Sequence, residues 1–457
     1  MSVLIKPKPI SPPAKSARPF VSIHVPCHNE PLSVVEKTLT SLSQLKYTNY
    51  EVLVIDNNTY DPAIWKPIEQ YCKKLGPPFR FLHFENLKGY KAGALNAALP
   101  HMNPRTEIIS IVDSDYVVDE KMLQQSIPHF SDPHVAIVQY PQAYYNSSPK
   151  TAGLEQEYRS FFDNILEQAN SWNAVTATGT LSLLRASLFL TDESLKWNEW
   201  CITEDAEISI HLYSKGYKGV FINQLIGRGL MPFNYYSLQR QRERWVHGNA
   251  QIIRKDLWPT IKNEHLTWKQ KLSFITQLTA WFHPTLFPTI FLTLSLILAS
   301  YGTITPFITL IAGLSLLTIT GFIVAKVLYF SLGQRRRGIA SIISVLKTTL
   351  SHFGLTGTMS LVWLWTLTSP QLPFHRTTKD PTEKVAPYLP VDGMLATFFV
   401  LGSIAACLLT SGAIQMIALG SAAVAIFFVL AMWFLIWETR STKQVVYSLT
   451  LPAGSLK

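Results

Sequence analysis

Several short groups of residues in this chain have the types and spacing to do chemistry. Asp113 and Asp115 stand one residue apart, directly after the apolar run Ile108–Val112. Like charges that close repel unless a cation or donor hydrogen bonds compensate. A hard divalent ion, Mg²⁺ or Mn²⁺, held by one or two carboxylates and completed by phosphate oxygens, meets that need. Asp56 follows the run Glu51–Ile55 in the same way, although a single Asp at a strand end equally serves as a turn former or helix cap. Lys88-Gly89-Tyr90-Lys91-Ala92-Gly93 precedes a helical stretch that holds Asn96. Its small residues let the backbone and Lys91 approach an anion; a solvated loop has the same composition. Thr203-Glu204-Asp205 opens a helix, where the helix dipole and capping also favour acidic residues. Gln241-Arg242-Glu243-Arg244-Trp245 sits on a further helix, with Gln241 and Arg244 on one face and Trp245 beside them. A basic amphipathic helix resting on lipid headgroups shows that pattern too.

The elements that must position these groups alternate. β-Branched runs at 20–26, 50–55, 79–84, 107–112 and 135–139 predict strands, and helical spacing falls near 33–44, 62–75, 90–99 and 119–130. Ser33 with Glu36 three residues on predicts a capping box for the first helix. Such alternation implies an α/β domain with a mainly parallel sheet covered on both faces, binding ligands at the carboxyl ends of its strands.

Composition divides the chain. Of 457 residues, 47% are hydrophobic and 15% charged, about ten points fewer charges than a soluble chain carries. The net charge is +10, yet residues 271–457 hold 12 Lys and Arg against 4 Asp and Glu, which leaves 28 against 26 for the first 270. The excess therefore sits beside apolar segments, and nucleic acid is not an expected partner. Residues 272–325 and 393–437 contain no Asp, Glu, Lys or Arg. A bilayer takes about 20 apolar residues per helix, so each run is long enough for a hairpin, with spans near 278–300, 306–330, 393–410 and 413–436. The basic connection and tail predict a cytosolic side for both. Residues 339–369 are expected to form an interfacial or re-entrant helix against membrane lipid. The organisation expected is a basic, Pro-rich lead-in (1–19) without a signal peptide, a cytosolic catalytic domain (20–270), a hairpin (271–330), a cytosolic connection (331–392), a second hairpin (393–437) and a cytosolic tail (438–457). Its place is the plasma (inner) membrane. Four cysteines without close spacing give neither a disulfide framework nor a zinc site.

In order, Asp56, Lys91-Ala92-Gly93, Asp113-Ser114-Asp115, Thr203-Glu204-Asp205 and Gln241–Trp245, followed by membrane spans, resemble the processive members of glycosyltransferase family 2. That group includes cellulose, chitin, hyaluronan and β-1,3-glucan synthases. The resemblance runs from about residue 20 to 390, and VSIHVPCHNEP, VLVIDNNTYDPAIW, NEWCITEDAE and GRGLMP are similar to bacterial β-glucan synthases. Phe374-His375-Arg376-Thr377-Thr378-Lys379 is similar to the F-x-V-T-x-K gating loop of cellulose synthases, with Arg376 in place of Val.

The resemblance implies a glycosyltransferase A-type, Rossmann-like domain and a set of roles. Asp56 would contact the uracil or ribose of a UDP-sugar, and Lys91, with Gly93 beside it, the diphosphate side. Asp113 would hold the nucleotide and Asp115 the metal, Mg²⁺ or Mn²⁺. Arg244 would stabilise the leaving UDP. Asp205 would be the general base, within the motif completed by Thr203 and Glu204. Trp245 would lie under the terminal acceptor sugar, with Gln241, on the donor side, fixing its position; Gly179 and Thr180 match the acceptor-side segment. Phe374, Thr377 and Lys379 would belong to the gating loop. The expected reaction is inverting transfer, most simply of glucose, to a growing β-glucan. The alternative is a single addition to a lipid acceptor, as in glucosyldiacylglycerol synthases. Four spans are few for a self-contained channel, so a homo-oligomer or a channel partner is expected to complete one. Transport without catalysis would be marked by Lys326 inside a span, but that residue is near enough to a helix end to snorkel.

Overall fold

A computed structural model describes residues 18–369, 377, 379 and 391–446. Phe374, most of the lead-in and the end of the tail lie outside the described residues. The five expected strands form, as β1 (Phe20–Cys27), β2 (Tyr50–Asn57), β3 (Phe79–Phe84), β4 (Thr106–Ile111) and β6 (Val135–Gln139), and the sheet adds β8 (Lys218–Phe221), which the sequence pattern does not predict. β7 (Ser182–Arg185) joins them in the order β3-β2-β1-β4-β7-β6-β8, antiparallel to both of its neighbours. β5 (Val117–Val118) and β9 (Gly227–Arg228) form a small separate ribbon. β1, β2 and β6 are buried almost throughout, as strands covered on both faces must be. One core, around Val35, Leu39, Val54 and Ile68, lies under α1 (Leu32–Ser43) and α2 (Pro62–Leu75). The other, around Leu95, Ile109, Leu184 and Ile208, lies under α3 (Tyr90–Ala98) and the later helices.

Two local expectations differ from the structure. The cap of α1 is Pro31 with no side-chain hydrogen bond, so the Ser33–Glu36 capping box does not form. The helix starts at Leu32 and places Ser33 inside it. The helix expected at 119–130 is only α4 (Met122–Ser126), because Pro128 tightens the next residues into a 3₁₀ turn.

Next, α5 (Ala152–Ser160) runs through a π-helical turn, Phe161–Leu166, into α6 (Glu167–Ser171). α7 (Ala186–Thr191) and α8 (Glu204–Ser214) come after it, then the 28-residue α9 (Tyr235–Lys262) and α10 (Trp268–Leu278). Three helices of the described residues are long and apolar enough to cross a membrane. They belong to α12 (Pro306–Arg336), α15 (Val391–Leu409) and α16 (Gly412–Val446). The span expected at 278–300 is shorter. The chain leaves helix after Leu278, passes through His283-Pro284, and re-enters it only in α11 (Leu286–Ser300). Those 15 residues rise about 22 Å, against a hydrocarbon core of about 30 Å. The outer faces of α11, α12, α15 and α16 expose Phe291, Leu317, Leu408 and Met416, which water would not tolerate as one large patch.

The stretch 339–369 folds as two helices, α13 (Ile342–Phe353) and α14 (Thr356–Thr368). α13 inverts the usual arrangement: Ile342, Ile343 and Leu346 are exposed while Thr348, Thr349, Ser351 and His352 are buried against the protein. The lower end of α16 ties the bundle to the α/β domain. Glu438 Oε1 accepts from the backbone N–H of Gly153 (2.9 Å) and Leu154 (3.2 Å), capping α5, while Ser351 of α13 donates to Oε2.

Candidate active site

The carboxyl ends of β1, β2 and β4 open into a cleft of about 370 Å³, closed on its other side by the first turn of α8 and by Gln241, Arg244 and Trp245 of α9. Ligands of parallel α/β sheets bind at this edge.

The two aspartates after β4 diverge, and each meets an ammonium. Lys91 Nζ lies 2.6 Å from Asp113 Oδ1 and also donates to the Gly179 carbonyl at 2.6 Å. Asp115 Oδ2 accepts from the Leu230 N–H (3.1 Å), while Oδ1 faces Lys379 Nζ at 3.2 Å. Lys379 is also 2.9 Å from Glu30 Oε1 and 2.8 Å from Ser114 Oγ. Burial works against both ammonium groups, but the surrounding carboxylates outweigh it and hold them protonated above their ordinary range. Glu30, Ser114 and Asp115 thus surround a cation with oxygen atoms alone, the donor chemistry that hard divalent ions take.

Glu204 and Asp205 occupy the first turn of α8, facing Lys91. Burial raises both carboxyl groups; for Glu204 the charge of Asp205 adds to the effect, and for both Lys91 opposes it. Gly179 has φ +78°, and a Cβ there would stand 3.1 Å from Asp205 Oδ2 and 3.4 Å from Lys91 Nζ. Gly179→Ala is therefore expected to strain the backbone by about 1–2 kcal/mol and to push the Asp205 carboxylate aside. We expect the loss to appear in kcat rather than in nucleotide affinity; an unchanged kcat would mean that the Asp205 position is not critical. Thr180 does not line the cleft; its Oγ1 accepts from the Asp113 N–H at 3.0 Å and sets that turn.

On α9, Arg244 donates to Thr377 Oγ1 at 2.6 Å. Burial lowers its pKa to about 10, partly offset by Asp113 and Glu204, so it remains a cation at neutral pH. Tyr158 donates to Gln241 Oε1. Trp245 stands edge-on to Tyr158 and 5.5 Å from Trp281. The buried Arg242, paired with Glu157, lies 4.7 Å over the Trp245 ring and 4.0 Å over that of Trp281. A second cavity, about 90 Å³, continues from Asp205 past Trp245 between Tyr158, Phe161 and Trp281.

Two expected donor residues sit elsewhere. Asp56 is fully buried and does not line the cleft: it accepts from Thr59 Oγ1 (2.6 Å) and His83 Nδ1 (2.7 Å), and burial raises its pKa. Asn57 and Asn58 line the cleft beside it. Gly93 is a packing residue, since any Cβ there would collide with the Lys88 carbonyl. Thr203 lies against Gly248 of α9, which lacks the Cβ that would strike it. Sequence reasoning missed Glu30, Gly248 and Arg242. Only Glu30 carried a signal, as an acid three residues past the end of β1; the other two depend on helix packing.

The model of glycosyl transferase family 2 matches residues 22–191, and that of glycosyl transferase family group 2 matches residues 108–437. The chain belongs to glycosyl transferase family group 2. Its sequence is similar to those of glucomannan and cellulose synthases. It is 26% identical over 263 residues to glucomannan 4-beta-mannosyltransferase 7 of Arabidopsis thaliana, covering 55% of this chain and 47% of that one. It is 26% identical over 274 residues to the UDP-forming cellulose synthase catalytic subunit of Pseudomonas fluorescens, covering 58% and 35%. The chain thus spans about half or less of the length of these relatives. Its fold is shared with the Pyrobaculum calidifontis mannosyltransferase PcManGT, solved with GDP-Man and Mn²⁺, at a TM-score of 0.51 and 15% identity over 78% of this chain and 88% of that one. The sheet of this chain is therefore that of a Rossmann-like α/β domain.

Proposed function

We propose that the enzyme is a membrane-embedded inverting glycosyltransferase that extends a β-glycan from a UDP-sugar, with UDP-glucose as the first donor to test. The observation that carries this reading is the meeting, in one cleft, of Asp205, Arg244, Trp245 and the Asp113–Asp115 pair. The acceptor hydroxyl oxygen attacks the anomeric carbon, its proton passes to Asp205, and the bond to the diphosphate breaks with its electron pair on the leaving oxygen. One displacement inverts the centre, so an α-linked donor gives a β-linkage. Arg244 and Lys91 face the diphosphate side and stabilise the charge that develops there. Asp115, with Asp113 and Glu30 close by, would hold Mg²⁺ or Mn²⁺, which when bound supplies further positive charge to the diphosphate. Thr377 and Lys379 themselves reach the cleft, as residues of a gating loop would.

The aromatic cavity past Trp245 favours a sugar chain as acceptor, because pyranose faces stack on ring faces while hydroxyls reach Gln142 and Thr178 at its edge. The apolar faces of α11, α12, α15 and α16, with the outward Ile342, Ile343 and Leu346, favour a bundle set in lipid with α13 on its surface. The α/β domain and the lower end of α16 share one side, which the basic connection makes cytosolic. A channel for the product would need a second copy or another partner.

Membranes supplied with radiolabelled UDP-glucose, other UDP-sugars and GDP-mannose test this reading. An alkali- or solvent-insoluble β-linked polymer from a UDP-sugar is expected. An organic-extractable product would instead mean a glycolipid transferase, and turnover of GDP-mannose alone would reassign the donor. In the same assay Trp245→Ala should reduce polymer formation at least about tenfold more than UDP-sugar hydrolysis; equal losses would remove its acceptor role.

A further inference from the structure

One titratable cluster lies outside the cleft and takes no part in the proposed reaction. Glu207 and His211 stand one turn apart on one face of α8, and Asp256 of α9 faces them. One ligand atom from each residue lies within 4.8 Å of the other two. None of the three lines the cleft or the aromatic cavity. Glu207 is only 1% exposed. Its Oε1 accepts from the Asn198 amide and lies 3.2 Å from His211 Nε2, whereas its Oε2 is buried with no hydrogen-bond partner among the described residues. Among the described residues, Asp256 Oδ2 is buried and unpartnered as well. The imidazole of His211 is further hydrogen-bonded to the backbone of Ser194. A ring anchored to a backbone group on one side is held ready to ligate on the other.

Two facing carboxylates with unpartnered oxygens are costly without a cation between them. The charge of the neighbouring Lys255 acts on both carboxyl groups, but its Nζ rests over the indole face of Trp200, 3.9 Å from the ring centroid. We propose that Glu207, His211 and Asp256 form a second metal site, for a divalent transition ion of the Zn²⁺ or Mn²⁺ kind, that ties α8 to α9. One imidazole nitrogen and two carboxylates suit such an ion better than Ca²⁺ or Mg²⁺, which take oxygen ligands. Ligand distances of about 2.0–2.2 Å require the three atoms to draw together from their present spacing, and Asp256, half-buried on α9, is the side chain with room to move. The ion would have structural consequences for the site. α8 begins with Thr203 packed on Gly248 and presents Asp205, while α9 presents Arg244 and Trp245; a clamp between the two helices sets the separation of base and acceptor platform.

The test uses the full chain in detergent with Asp115→Asn, so that a cation bound in the cleft does not contribute. After chelation and dialysis, equilibrium binding of Zn²⁺ and of Mn²⁺ is measured by elemental analysis, together with the melting temperature. About one equivalent of one of these ions is expected, with a melting temperature raised by about 2 °C or more at saturation. Adding His211→Ala or Asp256→Asn should weaken binding about 100-fold and remove the thermal shift. Failure of the Asp115→Asn protein to bind either ion overturns the proposal; Glu207 and Asp256 would then share a proton instead. Binding that is unchanged by Asp256→Asn overturns it equally. That variant keeps the size of a half-buried side chain, so it decides the matter even where His211→Ala fails to fold.

Discussion

Asp205→Asn is expected to lower kcat by about 10³-fold, in the range that loss of a positioned general base produces, while UDP binding stays within about twofold. The amide keeps the shape of the side chain against Gly179 but cannot accept the acceptor proton. The pH profile gives an independent check. Burial raises the Asp205 carboxyl, with Lys91 opposing, so its acid limb lies above the ordinary carboxylate range of about 4. Only the ionised form is a base; activity is therefore present above that limb and is lost as pH falls through it. Transfer measured with labelled donor, and UDP affinity by calorimetry, separate the two effects. Turnover that survives in Asp205→Asn would take the base role away from this residue.

Asp115→Asn should cost about 10²–10³-fold in kcat, the scale of a lost charge-stabilising group, and should shift the Mg²⁺ or Mn²⁺ concentration needed for half-maximal rate upward. One oxygen of Asp115 is committed to the Leu230 N–H; the other faces the cationic position now shared with Lys379 and Glu30. An asparagine retains a carbonyl for the first and presents a neutral group to the second. Initial rates across a metal titration read the change. A rate lowered without any change in metal dependence would leave Asp115 as a positioning residue only.

How much of this was legible depended on range. The strands were legible because each is a short, continuous apolar run, and burial on both faces of a parallel sheet requires that pattern. The pair Asp113–Asp115 was legible because two like charges one residue apart demand compensation whatever the fold. The span at 278–300 misled, because hydropathy does not register the break at His283-Pro284 that leaves α11 with 15 residues. Ser33 and Glu36 matched a capping box in spacing, yet the helix begins earlier, with Pro31 at its cap. Asp56 looked equivalent to Asp113, both acids following a strand. The difference is that His83 and Thr59 reach the first, and His83 comes from β3, 27 residues on. Glu30 was passed over because its partner is Lys379, on the far side of the chain from it.

By itself the amino-acid sequence determined an alternating α/β domain, a following bundle of apolar helices, and the order of motifs that marks the glycosyltransferase family. These are properties of neighbouring residues: periodicity, apolar length and local charge. The tertiary structure decided which acids face the cleft, which lysine meets which aspartate, and that Trp245 is held in an aromatic set by Arg242. It also placed Glu207 and His211 opposite Asp256. Each of these is an electrostatic or packing contact between segments far apart in the chain, and such contacts exist only once burial has brought the segments together.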